Sequence, residues 1–262
     1  MSTPLLHVDA FTATPFHGNP AAVCVLDGER ATDWMQSLAA ELNLPATAFV
    51  RAESDGFALR WFSPSAELVL CGHGTLASAH ALWETGRLAP AATARFTTKS
   101  GLLSAASRDG WIALDLPAEP PRAAAPPAGL LAAVGVKPRW VGRNRLDYVL
   151  ELDHEAAVRA ACPDLRALAA VDTRGVIVTA PASTPGFDFV SRFFAPRVGI
   201  PEDSVTGSAH CCLVPLWAER LGAPRLTALQ VSARTGILRA EILGDRVALS
   251  GQAVTVLRGE LR

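Results

Sequence analysis

Lysine is nearly missing from this chain: Lys99 and Lys137 are its only lysines, within a combined Lys and Arg total of 24. An enzyme that forms a Schiff base, with pyridoxal phosphate or without it, has to use one of those two. Neither sits in a Gly/Ser-rich setting, so that class is set aside. An excess of charge is missing as well, since 24 basic residues face 25 acidic ones and the formal net charge is −1. Such a chain carries no electrostatic footprint for nucleic acid or for an anionic membrane surface. No apolar run reaches the ~18 residues needed to span a bilayer. The opening stretch MSTPLLHVDAFTATPF has neither the basic segment nor the long apolar run of a secretory leader. The five cysteines, Cys24, Cys71, Cys162, Cys211 and Cys212, are odd in number and irregular in spacing, which does not suggest a disulfide framework. The expectation is a soluble, reduced, cytoplasmic protein with no nucleic-acid or membrane partner.

The chain instead has apolar residues in short runs, at 50% hydrophobic and 19% charged over 262 residues. That length allows one large domain or two small ones, each with a core of its own. Strand-like runs cover 5–11, 21–26, 47–50, 57–62, 93–99, 101–107 and 111–116. Helical spacing covers 32–42, with Thr32 or Asp33 as its cap, and about 74–86. Residues 117–129 hold five prolines and no apolar periodicity, as a linker would. Beyond them the order recurs: strands at 138–142 and 147–152, a helix at 156–162, and strands at 175–180 and 187–194. A helix at 206–221 follows, then strands at 227–232, 237–242, 246–250 and 253–259. The expected organisation is an N-terminal half (1–118), a linker (119–129) and a C-terminal half (130–262), the last strand being free to return to the first half.

The halves also repeat in sequence. Phe62-Ser-Pro64, Gly72-His73-Gly74, Ser78-Ala79-His80 and Trp83 are echoed by Phe194-Ala-Pro196, Thr206-Gly207, Ser208-Ala209-His210 and Trp217. An internal duplication explains that order and spacing. In each copy a strand enters a Gly-containing turn that opens a helix. The first turn of a helix exposes amide N–H groups and the positive end of the macrodipole, an anion site that needs no basic side chain. A small carboxylate suits such a site in a neutral protein. Gly72-His-Gly74-Thr-Leu-Ala77 also fits a dinucleotide fingerprint, but it sits in mid-domain and no acidic residue lies about twenty positions on. Cys71-x-His73 and His210-Cys211-Cys212 do not match zinc ligand spacings, and Cys211 and Cys212 fall in an apolar run as core residues. His73, between two glycines, is poorly placed for core filling. Asp203 precedes the second helix as a candidate N-cap, and a capping carboxylate in a cleft can also shuttle protons; Ser208 follows Gly207 directly as a ligand contact. His80 and His210 read as helix-packing residues.

Taken together, Gly18-Asn19-Pro20-Ala21-Ala22-Val23, Cys71-Gly72-His73-Gly74-Thr75, Arg192-Phe193-Phe194-Ala195-Pro196 and Glu202-Asp203-Ser204-Val205-Thr206-Gly207-Ser208-Ala209-His210 resemble the phenazine-biosynthesis PhzF family. Gln230-x-Ser232 and Gly251-Gln-Ala-Val-Thr-Val fit it too, so the resemblance spans the chain. It implies an α+β, diaminopimelate-epimerase-like fold: two similar halves, each a mostly antiparallel sheet or barrel wrapped round a central helix, with a cleft between them. It also implies a homodimer, no metal and no organic cofactor. The activity implied is an isomerisation that moves a proton or double bond in a small carboxylate of secondary metabolism. Catalytic roles fall to His73 and Asp203, with Cys71 joining by likeness to related epimerases and racemases. Substrate-binding roles fall to Asn19, Gly72, Gly74, Thr206, Gly207 and Ser208. One departure matters. The family's main acid/base is a glutamate in a motif like N-L-S-E-T-x-F, and this chain reads Asn43-Leu44-Pro45-Ala46-Thr47-Ala48-Phe49. Ala46 cannot transfer a proton, and a positioned acid/base is worth about 10²–10⁴ in rate.

Overall fold

The computed structural model describes residues 3–261; residues 1, 2 and 262, where the expected halves begin and end, lie outside the described residues. The chain divides into two compact units, one made of the chain up to Leu116 and from Ser250 onward, the other of Pro117–Leu249.

The first unit runs β1 (Thr3–Ala10), β2 (Asn19–Leu26), α1 (Thr32–Leu42), β3 (Ala46–Glu53), β4 (Gly56–Phe62), β5 (Glu67–Leu68), α2 (Gly72–Glu84), β6 (Ala94–Thr98), β7 (Gly101–Arg108) and β8 (Trp111–Pro117). The second runs β9 (Arg122–Ala123), α3 (Leu130–Val134), β10 (Trp140–Arg143), β11 (Asp147–Glu151), α4 (Glu155–Ala160), α5 (Leu165–Ala169), β12 (Gly175–Pro181) and β13 (Phe189–Ala195). It continues through β14 (Ile200–Asp203), α6 (Gly207–Leu221), β15 (Arg225–Gln230), β16 (Gly236–Leu243) and β17 (Arg246–Gly251). The last strand, β18 (Ala253–Leu261), pairs antiparallel with β1 in the first unit.

The two units share one pairing scheme. In the first, β1–β2 is antiparallel, β2–β3 parallel, β3–β4 and β4–β5 antiparallel, and β4–β6 parallel. In the second, β10–β11, β11–β12, β12–β13, β13–β14 and β13–β15 follow the same sequence of directions. Each parallel step needs a crossover: α1 and then α2 supply them in the first unit, α4 with α5 and then α6 in the second. The fold is thus α+β, dominated by sheet, with two similar halves.

Each unit has a central helix. All of β2 is buried, because α1 covers one face of the sheet and α2 the other. Most of α2, from His73 to Leu82, is buried, and it packs against β1, β2, β3, β7 and β18. A helix with no wide polar face belongs inside its sheet. In the second unit α6 is buried in the same way from Gly207 to Trp217 and packs against β15 and β16. The core of that unit gathers Leu130, Val134, Leu150, Val176, Val178 and Phe194.

Several local expectations shift. α2 opens at Gly72, two residues earlier than the apolar spacing indicates, because the glycines there carry no side chain to mark the helix. Neither Thr32 nor Asp33 caps α1; Ala31 is its N-cap and no side chain bonds to the turn. The proline-rich segment is bound to the second unit: Ala118 N–H donates to Asp245 O, Glu119 N–H to Cys211 O and Ala124 N–H to Val141 O. Pro215 inside α6 explains the middle one, since it has no N–H to give Cys211 four residues back and leaves that carbonyl open for Glu119. Among the described residues no helix is long and apolar enough to cross a membrane.

Candidate active site

In the first unit the candidate residues gather where α2 starts. Cys71 is the extended N-cap and no side chain caps the first turn, so the turn presents the positive end of α2. Thr75 Oγ1 and Ser78 Oγ bond back to the carbonyls of Cys71 and Gly74, at 2.7 Å each, which ties down the turn from inside. Cys71 and His73 are both buried, and the thiol lies 3.6 Å from Nδ1 and 3.8 Å from Nε2 of His73. Gly72 lies between the two and Gly74 follows His73. Gly74 is required by close approach: a Cβ there would lie 2.7 Å from Cδ1 of Trp61 and 3.0 Å from the Cys71 sulfur.

The strand register brings two further sequence-derived residues to this side of the sheet. Ala21 pairs with Ala46 and Ala48 with Trp61, so Asn19, Ala21, Ala46, Ala48 and Trp61 share one face by alternation. Trp61 meets Gly74, so that face is the one turned to α2. Asn19 is fully buried at the start of β2, after Gly18, whose left-handed backbone and contact with Ala10 O leave no room for a side chain.

In the second unit the equivalent turn is held by side chains far away in sequence. Asp203 ends β14 and the N-cap of α6 is Thr206, so the alternative that Asp203 caps the helix is replaced by a different role. Its carboxylate accepts from Thr206 Oγ1 at 2.7 Å. Gln230 on β15 donates from Nε2 to the Asp203 carbonyl (2.7 Å) and accepts Thr206 N–H at Oε1 (2.9 Å). Ser232 Oγ donates to Ser204 O at 2.7 Å. The closing Gln-x-Ser motif is therefore the clamp on the Asp203–Thr206 turn. Arg192 supports it from β13: its guanidinium pairs with both oxygens of Glu202 (2.7 and 2.9 Å) and lies over Phe194.

Gly207 and Ser208 form the first turn of α6, and Ser208 Oγ accepts from Arg174 Nη2 at 3.0 Å. Arg174 is itself oriented by the fully buried Asp147, through Nε to Oδ1 at 2.8 Å and through Nη2 to Oδ2, and by the ring of Phe193 beneath it. A basic side chain thus stands beside the backbone amides at this helix end, with its charge met by Asp147. Position offers no hint of it, because Arg174 lies 34 residues before Ser208.

The packing histidines are explained by their partners. His80 Nε2 lies 3.1 Å from Thr255 Oγ1 and 3.5 Å from Glu84, tying α2 to β18, and burial lowers its pKa. His210 is fully buried and donates from Nδ1 to Thr206 O at 2.8 Å, and burial pushes its pKa down to about 4. Cys211 is buried and its thiol is pushed up to about 12, with Cys212 raised further in the same way, as for core residues. Among the described residues no group of three or more His, Cys, Asp or Glu side chains is placed to hold a metal ion.

Residues 8–259 match the family model described as phenazine biosynthesis-like protein. The chain belongs to that family. A protein named as an uncharacterized isomerase of Halalkalibacterium halodurans is 50% identical over all of this chain and 99% of its own length. The crystal structure of an Enterococcus faecalis PhzF-family protein superposes with a TM-score of 0.95 at 41% identity, covering all of both chains. A Pseudomonas aeruginosa protein described as a predicted epimerase shares the fold, with a TM-score of 0.74 at 21% identity over 99% of each chain.

Proposed function

We propose that this member of the phenazine biosynthesis-like family is a cofactor-independent isomerase that moves a proton, and with it a double bond, in a small unsaturated carboxylate of secondary metabolism. The observation that carries the reading is the pair of equivalent strand-to-helix turns, one with His73 in the first turn of α2 and the other with Asp203 at the end of β14, ahead of α6. An imidazole and a carboxylate can each take up and return a proton, so His73 and Asp203 are the groups assigned to that transfer. Net charge and atoms balance, since the proton taken from one carbon is delivered to another. Each unit by itself offers donors to a carboxylate: the first-turn amides of Gly72 and Gly74 in one, and those of Gly207 and Ser208, with the Ser208 hydroxyl and Thr206, in the other. The position matching the family's glutamate is taken by Ala46, so that proton-transfer group is absent here.

The test is exchange in D₂O against a panel of small unsaturated carboxylates, read by mass and NMR. The expected result is solvent deuterium in the ligand carbon skeleton with the native enzyme, and a loss of about 10²–10⁴ in rate for His73→Ala and for Asp203→Asn. Full activity in both variants overturns the roles. Binding with no exchange for any ligand favours a carboxylate-binding protein without turnover.

A second reading has its own observation, the contact between Cys71 and His73. A thiol beside an imidazole is the usual arrangement for a thiolate base. In that case the enzyme acts as an epimerase. Cys71→Ser then abolishes exchange at a stereocentre, whereas in the first reading it leaves exchange within about tenfold.

A further inference from the structure

Trp61 holds a donor that none of the described residues accepts. It is 1% exposed, and among the described residues its buried indole Nε1 has no hydrogen-bond partner. Buried indole N–H groups ordinarily find an acceptor. Trp217 donates to Thr179 Oγ1 at 3.0 Å and Trp83 to Ala92 O at 3.0 Å. An unmet donor of this kind carries an uncompensated desolvation penalty.

Its position is informative. The Cδ1–Nε1 edge faces the first turn of α2: a Cβ on Gly74 would lie 2.7 Å from Cδ1, 3.2 Å from Nε1 and 3.0 Å from the Cys71 sulfur. The Cys71 thiol touches the His73 ring. On the adjacent strand Ala46 is the diagonal neighbour of Trp61 on the same face, because Ala48 is the residue directly opposite Trp61. Diagonal positions lie about 7–8 Å apart, within reach of a long side chain, but alanine stops at Cβ. The indole donor therefore points at a helix start with no carboxylate at position 46 to meet it.

We propose that the N–H of Trp61 is a ligand-binding donor, taking a carboxylate oxygen of the small acid at the Cys71–Gly74 turn. The inference rests on the reading above, that this turn receives a small carboxylate, and it adds the side chain that recognises one oxygen. An acceptor seated on Nε1 is bordered by Cys71 and His73, so the same bond orients the acid beside the groups assigned to proton transfer. Because the bond needs no turnover, it is tested apart from the isomerase activity.

The experiment uses the full chain labelled with ¹⁵N at its six indole nitrogens, the Trp61 signal being the one lost in Trp61→Phe. The probe is sorbate, an unsaturated carboxylate, with the uncharged sorbyl alcohol as control. The expected result is a downfield shift of the Trp61 indole proton that saturates with millimolar sorbate and is absent with the alcohol. Trp61→Phe should weaken sorbate binding about tenfold to a hundredfold, as loss of a bond to a charged acceptor requires, while leaving binding of the alcohol unchanged. Ala46→Glu should move the same indole signal without any ligand and weaken sorbate, since its carboxylate takes the donor. If Trp61→Phe does not fold, the wild-type titration and Ala46→Glu decide. The proposal is overturned if the Gly72 and Gly74 amides respond to sorbate while the indole signal stays put, or if sorbate shifts neither. A Trp61 response without deuterium exchange would remove the isomerase reading and leave this one standing.

Discussion

Arg174 shows how much one side chain contributes to the candidate site without touching a ligand. It neutralises Asp147, which is fully buried, and donates to Ser208 at the start of α6. Removing one partner of a buried ion pair leaves an uncompensated charge, which costs more than the pair contributes. Arg174→Ala is therefore expected to lower unfolding stability by about 3 kcal/mol, and Arg174→Ala with Asp147→Asn to recover part of that loss. Urea unfolding of the single and double variants checks both. His210 acts through pH. Its folded pKa is about 4, below the ordinary value of 6.5, because burial penalises the charged ring. The unfolded chain takes up a proton as pH falls below 6.5 and the folded one does not until about 4. Its contribution is thus fully present above 6.5 and is lost as pH drops to 4, by on the order of 3 kcal/mol. His210→Asn keeps a donor for Thr206 O but does not titrate, so the pH slope of the unfolding midpoint in that window should flatten.

At the scale of elements, the start of α2 sets two preferences against each other. Helix propensity favours Ala over Gly by about 1 kcal/mol. At Gly74 the added Cβ meets the Trp61 ring at 2.7 Å and the Cys71 sulfur at 3.0 Å. Overpacking in a buried contact costs about 1–3 kcal/mol, so the clash wins and Gly74→Ala is expected to destabilise. Thermal unfolding checks the sign, and displacement of the indole should also disturb the Trp61 amide and indole signals. The same element illustrates what the sequence makes legible. The Gly-His-Gly turn, its place between strand and helix, and its echo at Thr206-Gly207-Ser208 are local features, and the register of apolar residues exposes them. The short strands β5 and β14 are not legible in that way, since two to four residues carry too little alternation and form because β4 and β13 offer them an edge.

Across the whole molecule, the division of the chain does not follow its order, because β18 completes the first unit. It pairs with β1 along nearly its full length, from Ala253 opposite Ala10 to Leu261 opposite Thr3, and Gly251 packs against Phe11 and Leu76. Without β18 the strand β1 becomes an open edge and α2 loses one of its walls. Truncation after Gln252 is expected to abolish the cooperative unfolding transition of the first unit while leaving that of Pro117–Leu249. Calorimetry or hydrogen exchange by mass spectrometry reads the two separately.

The sequence by itself determined the duplicated order of strands and helices and the two glycine turns that open α2 and α6, while the α+β class came with the resemblance to the family. Period, turn chemistry and apolar runs are properties of neighbouring residues, and they survive without knowledge of the fold. It also carried the family, through ordered motifs spread over the chain. The tertiary structure decided which distant side chains complete each turn. Gln230 clamps Thr206 from 24 residues away, Arg174 reaches Ser208 from 34, and the indole of Trp61 comes to rest against Gly74. These contacts depend on which strands become neighbours and in what register, and no local pattern encodes that. His73 is the instructive case. Its glycine neighbours mark it as an unusual histidine, but its burial against the Cys71 thiol exists only once α2 is packed into its sheet.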